Sequence, residues 1–152
     1  MSKRFLLLII LSTSLILWNM LNFSGILFGQ DTIYKPIGNF LFSNVCHLQQ
    51  NKLLFINEIP TILCSRCTGI YFGALLTSSI LLFIDIRKTF NFKQLIFFSI
   101  PTILDITFYN LNIYNYYFPI SFLAGVFLGI FGFYYFYIGI LNLITNKRLL
   151  NS

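Results

Sequence analysis

The sequence contains very few charged side chains. Only 9% of its 152 residues are charged, whereas an average soluble domain carries about 25%. A chain with so little charge could not cover a water-facing surface, so an ordinary soluble domain is excluded. Its four acidic residues are scattered and its single histidine directly follows a cysteine. Paired carboxylates for acid–base chemistry and a Ser-His-Asp arrangement are therefore excluded as well.

The net charge of +6 does not indicate nucleic-acid binding. Such binding needs a basic patch interleaved with polar residues. Here the basic residues stand at the ends of apolar segments, which is the distribution that membrane topology produces. We therefore expect the lipid bilayer, and no nucleic acid, as a partner of this chain.

Long apolar runs fill most of the sequence, which is 57% hydrophobic. A helix needs about 20 apolar residues to span a bilayer, and four segments meet this length approximately. The sequence predicts an all-α fold, with residues 1–152 forming one membrane domain of four transmembrane helices. The predicted crossings are 5–28, 67–86, 94–111 and 119–144. Residues 30–66 form a loop between the first two, in which Pro36 opens a short interfacial helix towards Cys46.

The basic residues also predict the orientation of the bundle. Cytoplasmic ends of membrane helices carry an excess of Lys and Arg. With both termini in the cytoplasm, seven basic residues lie inside and three outside. The inner set is Lys3, Arg4, Arg87, Lys88, Lys93, Lys147 and Arg148, and the outer set is Lys35, Lys52 and Arg66. This predicts a multi-pass inner-membrane protein whose 30–66 loop faces the periplasm or the exterior.

Glycines at four-residue spacing mark two of the predicted crossings. Gly69 and Gly73 lie on the second, and Gly125 and Gly129 lie on the fourth. Small residues at this spacing allow helix backbones to approach closely in a membrane. We predict helix packing at these four positions. The same glycine surfaces would also suit a second copy of the chain or another membrane protein, and the sequence does not identify such a partner.

Every cysteine and the only histidine fall in one short, comparatively polar segment. These residues are Cys46, His47, Cys64 and Cys67. Two cysteines separated by two residues form half of many tetrahedral metal sites, and Cys46 with His47 can supply the other half. The sequence thus predicts a centre for zinc or another soft transition metal.

Two other hypotheses use the same cysteines. The Cys64–Cys67 pair at a helix start can act as a thiol–disulfide oxidoreductase, because the helix dipole and Arg66 favour a thiolate there. Alternatively, Cys46 forms a structural disulfide with Cys64 or Cys67 in a scaffold or transport-associated membrane protein. These hypotheses differ in whether the protein is an enzyme, and the pattern favours the metal site.

Asp105 is an acid well inside the third predicted crossing. A carboxylate there costs roughly 2.5–3.5 kcal/mol on insertion scales, so it normally faces the bundle interior and has a partner. We expect Asp105 and Arg66 to surround the metal ligands, with Tyr109 one turn further along the same helix within hydrogen-bonding reach of the carboxylate.

These residues together resemble the bacterial predicted-membrane-protein family called domain of unknown function 2085. That family carries a Cys-His segment, a Cys-x-Arg-Cys-Thr-Gly-Ile-Tyr-x-Gly signature, Pro-x-x-x-Asp in a membrane helix and a late Gly-x-x-x-Gly. The counterparts in this chain are Cys46-His47, Cys64 to Gly73, Pro101 with Asp105, and Gly125 with Gly129. The resemblance implies a membrane fold and a Cys/His site, and it implies no particular reaction.

Overall fold

Of the residues that the structure describes, 81% are helical. A computed structural model describes residues 3–29, 34–46, 52–56, 58–84, 92–111, 113 and 115–149. Its elements in order are α1 (Lys3–Asn22), α2 (Ser24–Phe28), α3 (Tyr34–Phe42), β1 (Leu53–Ile56), β2 (Ile59–Cys64), α4 (Ser65–Phe83), α5 (Phe92–Asn110) and α6 (Phe118–Leu149).

Three helices in the described part of the chain are long and apolar enough to cross a bilayer. They cover Arg4–Asn22, Ser65–Phe83 and Phe118–Ile144, and they correspond to the first, second and fourth predicted crossings. The third predicted crossing, 94–111, is also a helix, α5, but it is not among these three. Four crossings and their orientation therefore remain predictions.

The first crossing was predicted as one helix over 5–28, and the structure divides it. Phe23 is a turn residue between α1 and α2, with φ −92° and ψ 11°. The carbonyl of Phe23 still accepts from Ile26 and Leu27, so the chain resumes a helix at once. Gly29, at φ 91°, ends α2 in a conformation that residues with a side chain rarely adopt.

The segment 30–66 was predicted as a loop with a short helix from Pro36 towards Cys46, and the loop prediction is wrong for the described residues between 53 and 64. It contains α3 and an antiparallel hairpin of β1 and β2. The hairpin sequence is rich in β-branched and apolar residues, which favour strands. Its turn includes Glu58, whose φ of 67° lies in the left-handed region. We call α3 and this hairpin the cap.

Glycines join α4 to α6 at very short range. A Cβ atom at Gly69 would collide with the carbonyl oxygen of Phe122, and one at Gly73 with that of Val126. Conversely, a Cβ atom at Gly125 or Gly129 would collide with a carbonyl of α4. Only glycine permits this approach, so the two backbones lie in direct contact along both pairs.

The helix α1 lies against α4 and α6 at the end of the bundle away from the cap. A core there combines apolar residues of all three helices: Leu8, Ala74, Leu81, Phe133, Tyr134 and Tyr137. Nearby, the Ser12 and Ser78 hydroxyls hydrogen bond at 3.0 Å within the interior. The Arg4 Nε donates to the Tyr137 hydroxyl at 2.7 Å. Polar contacts of this kind hold membrane helices in register.

The helix α5 docks on α6. The Phe98 and Phe131 rings stack with centroids 3.5 Å apart. The Thr102 hydroxyl donates to the Ala124 carbonyl at 2.9 Å. Pro101, which has no N–H to donate, lies beside Thr102 inside the helix. These contacts position the following turn of α5, which carries Asp105, against the bundle.

Candidate metal centre

Three elements deliver one cysteine each to the same place. Cys46 follows the turn after α3, and its N–H donates to the Phe42 carbonyl at 2.9 Å. Cys64 ends β2 and is the N-cap residue of α4, with φ −62° and ψ 156°. Cys67 lies in the first turn of α4. The three Sγ atoms lie within 4.8 Å of one another, and none of the three cysteines forms a disulfide.

Asn22 fixes the β2–α4 junction that carries two of these cysteines. Its Oδ1 accepts from the Leu63 N–H at 2.8 Å, and its Nδ2 donates to the Thr68 hydroxyl at 3.1 Å. Asn22 is fully buried. The last residue of α1 therefore holds the backbone directly before Cys64 and the residue directly after Cys67.

An aromatic group supports Cys46 from the other side. Phe42 is fully buried and meets the Trp18 ring edge-on, with centroids 4.7 Å apart. Trp18 also contacts the Tyr71 ring at 5.7 Å, and Tyr71 lies one helical turn after Cys67. Cys46 itself is buried in this cluster. The end of α3 is thus pressed against α1 and α4.

The thiols influence one another. A hydrogen bond with Cys46 raises the pKa of the Cys64 thiol, a hydrogen bond with Cys67 opposes this, and burial raises the pKa further. Thiols packed together in a half-buried place hold their protons until a cation replaces them. This is a donor set of three soft sulfur atoms in one small space.

Arg66 points from between Cys64 and Cys67 to the carboxylate of Asp105. Its Nε donates to Asp105 Oδ2 at 3.1 Å, and its Nη2 makes a second contact with the same oxygen. The Ser121 hydroxyl lies 3.1 Å and 2.9 Å from the two oxygens of this carboxylate. Three helices, α4, α5 and α6, therefore meet at one buried acid.

The other residues predicted for the site are placed differently. Tyr109 lies in an aromatic contact with Tyr116, at 5.6 Å between centroids, and the Lys52 ammonium lies 4.2 Å from its ring centre. His47 lies outside the described residues. Sequence reasoning missed Asn22, Ser121 and Trp18. Asn22 and Ser121 are polar residues within apolar stretches, and this was the available signal.

Comparison with known families agrees with this architecture. A family model described as predicted membrane protein (DUF2085) matches residues 46–136, which is more than half of the chain. The chain belongs to this family. The matched range begins at Cys46 and includes the hairpin, α4, α5 and the glycine-bearing part of α6, so the resemblance noted in the sequence is confirmed. No curated protein and no solved structure matches the chain.

Membership in DUF2085 and the three apolar helices identify a multi-pass membrane protein. The matched range contains all three cysteines, the Arg66–Asp105 pair and both glycine pairs. The family description states a location in a membrane and no reaction. Any function must consequently be inferred from the chemistry of the residues themselves.

Proposed function

We propose that this DUF2085 protein binds zinc, or another soft transition metal, through Cys46, Cys64 and Cys67. The observation that carries the proposal is the convergence of the three Sγ atoms within 4.8 Å of one another. They arrive from separate elements, and the chain has no other cysteine. Thiolate sulfur is a preferred ligand of zinc and of other soft metals.

The spacing suits a tetrahedral ion. Zinc–sulfur bonds of about 2.3 Å place two ligands of a tetrahedron about 3.8 Å apart. Sulfur atoms within 4.8 Å of one another need only small rotations to reach that separation. Because Cys46 is separated from Cys64 by the hairpin, a shared ion would tie the cap to the first turn of α4.

His47 is the proposed fourth ligand, because it directly follows Cys46 and is the only histidine of the chain. A closed set of three thiolates and one imidazole is typical of structural zinc. With water in place of the imidazole, the centre would have an open position that permits chemistry. The identity of the fourth ligand therefore separates a structural centre from a reactive one.

Arg66 and Asp105 are proposed to position the ligands. Three thiolates and a divalent cation carry a net charge of about −1, which a guanidinium nearby stabilises. The ion pair of Arg66 with Asp105 also ties the first turn of α4 to α5. Tyr109 borders this region through its contacts with Tyr116 and Lys52. None of these three residues is proposed as a ligand.

We place the centre at the outer mouth of a four-helix bundle in the inner membrane. Support for α5 as a crossing in addition to α1, α4 and α6 comes from its outward surface, which exposes Ile96, Phe97, Ile100, Ile103, Leu104, Ile106 and Phe108. Contact with lipid carries no hydrophobic penalty for such an apolar surface, whereas contact with water does. The pairing of Asp105 with Arg66 also reduces the cost of its charge inside a crossing. The seven-to-three distribution of basic residues supports an outer position for the cap.

Metal analysis of the purified protein tests this proposal. Protein extracted in detergent without chelator should contain about one zinc or similar ion per chain. Cys46→Ser, Cys64→Ser and Cys67→Ser should each remove most of it, whereas Ser43→Ala, in the turn before Cys46, should retain it. His47→Ala should lower the content if the imidazole is the fourth ligand.

A mass measurement after alkylation distinguishes the rival functions. Metal-free wild-type protein that contains a reducible internal disulfide would contradict metal binding. A disulfide that forms and reopens under mild thiol buffers would then indicate exchange chemistry, and one that resists reduction would indicate a structural bridge.

A further inference from the structure

The cap presents an apolar surface that the helical bundle does not cover. On α3, Phe40 is 78% exposed, and Ile37 and Leu41 are also exposed. The opposite side of this helix is buried. A Cβ atom at Gly38 would collide with the Ile62 side chain, and Phe42 is fully buried. At about 100° per residue, Phe40 lies roughly 200° around the helix from Gly38, so it points away from the protein.

The level of α3 along the bundle follows from its contacts with α1. Phe42 meets the ring of Trp18, and Gly38 lies next to Leu21. Trp18 is four residues before the end of the span Arg4–Asn22, which is about 6 Å along a helix. The helix α3 therefore lies beside the last turn of a membrane span and does not stand above it.

The hairpin lies at a similar level. The Ser65 hydroxyl donates to the Phe118 carbonyl at 2.8 Å, which joins the first residues of two spans. The Phe55 ring of β1 contacts the Phe118 ring, with centroids 6.4 Å apart. Tyr116 and Tyr117 directly precede this residue, and tyrosines are enriched where membrane helices meet the headgroups. The cap thus lies where the chain leaves the apolar layer.

We propose that the cap is embedded in the headgroup and upper acyl region of one leaflet, with the Phe40 side of α3 in contact with lipid. The helix α3 contacts α1 at Trp18, and α1 exposes apolar residues next to this contact, Leu17 and Met20. A nine-residue helix is about 14 Å long, which is short for the roughly 800 Å² per partner of a stable protein interface. Lipid is the occupant that this level and chemistry favour.

This inference goes beyond metal binding and does not depend on it. It means that Cys46, which follows α3, lies at the membrane boundary and not in a water-filled loop. Access to the cysteine cluster from the side of α3 would then pass through lipid. The metal content of the same preparations reports on the proposed function separately.

Fluorescence quenching by brominated lipids tests the position of the cap. Trp18 is the only tryptophan, so its signal in wild-type proteoliposomes is the background. Phe40→Trp and Ile37→Trp place a reporter on the outward side of α3. Phe127→Trp is the matched control, because Phe127 is exposed on α6 and lies nine residues, about 14 Å, into its span.

Bromines near the headgroup end of the acyl chain should quench the α3 reporters roughly twofold more than bromines near the methyl end, as expected for an interfacial helix buried about 5–10 Å. Phe127→Trp should show the reverse order. Two results would overturn the proposal. Quenching of both α3 reporters by aqueous acrylamide alone would show that the cap faces water. No quenching above background by either agent would show that protein covers it.

Discussion

The guanidinium of Arg66 is paired with the carboxylate of Asp105 in the interior of the bundle. The Nε–Oδ2 distance is 3.1 Å, and the side chains are 19% and 2% exposed. Arg66 stands between two cysteines of the cluster, and Asp105 lies five residues before the end of α5. The pair is therefore a direct link between the cysteine cluster and α5.

Asp105→Asn should substantially lower the stability of the folded protein. The substitution keeps the shape but leaves the Arg66 charge without its partner, and breaking a buried pair costs roughly 3 kcal/mol or more. Thermal unfolding in detergent measures the effect. Thr107→Val, on the same helix but exposed, is the control. Equal melting temperatures for the two variants would contradict a stabilising role of the pair.

Replacing both Arg66 and Asp105 with apolar residues should restore much of the stability that a single substitution removes. Apolar residues of similar volume often substitute for a buried ion pair at little cost. Arg66→Met combined with Asp105→Leu should therefore be more stable than either single variant. If the pair also positions the cysteines, the double variant should bind metal less tightly even though it is folded. Wild-type affinity in that variant would limit the pair to a structural role.

Gly69→Val should separate α4 from α6. A Cβ atom there meets the backbone of Phe122, which cannot move aside like a side chain. Overpacking of this kind costs roughly 1–3 kcal/mol. The control is Gly132→Ala in α6, where an added Cβ has no atom within 4 Å. That variant should be unchanged or about 0.5–1 kcal/mol more stable. Similar losses in both variants would refute close glycine packing as the cause.

Asn22→Ala should loosen the junction of β2 and α4. It removes the acceptor of the buried Leu63 N–H and the donor to Thr68, and a buried unpaired group costs about 1–3 kcal/mol. We expect a lower melting temperature and faster alkylation of Cys64 and Cys67. Thr13→Val, on the exposed side of α1, should alter neither. Unchanged alkylation in Asn22→Ala would mean that Asn22 does not hold the cysteines in place.

The number of crossings decides where the C-terminus lies. Four crossings with a cytoplasmic N-terminus return the C-terminus to the cytoplasm, whereas three place it outside. A C-terminal fluorescent fusion that folds only in the cytoplasm should be bright, and a C-terminal alkaline phosphatase should be inactive. Matched fusions after Asn110, at the end of α5, should give the reverse: the fluorescent fusion should be dark and the alkaline phosphatase fusion should be active. An active C-terminal phosphatase would refute four crossings.

The helices were largely predictable because their signals are local. The apolar segments that mark α4, α5 and α6 differ from the structure by up to five residues at their ends, and the first predicted segment is divided into α1 and α2 at Phe23. The hairpin was missed because Asn57 and Pro60 suggested a loop. In fact Pro60 lies within β2, the second strand of a two-stranded sheet, where a strand edge tolerates a residue without an N–H.

Composition and spacing by themselves determined that this chain belongs in a membrane, where its long apolar helices lie and that its cysteines cluster in sequence. These properties depend on residues near one another along the chain and on their preference for lipid. Only the tertiary structure decided that Cys46 turns back to meet Cys64 and Cys67, and that Ser121 approaches Asp105. Such contacts depend on how α3, the hairpin and the helices rotate and pack, and no local pattern specifies that rotation.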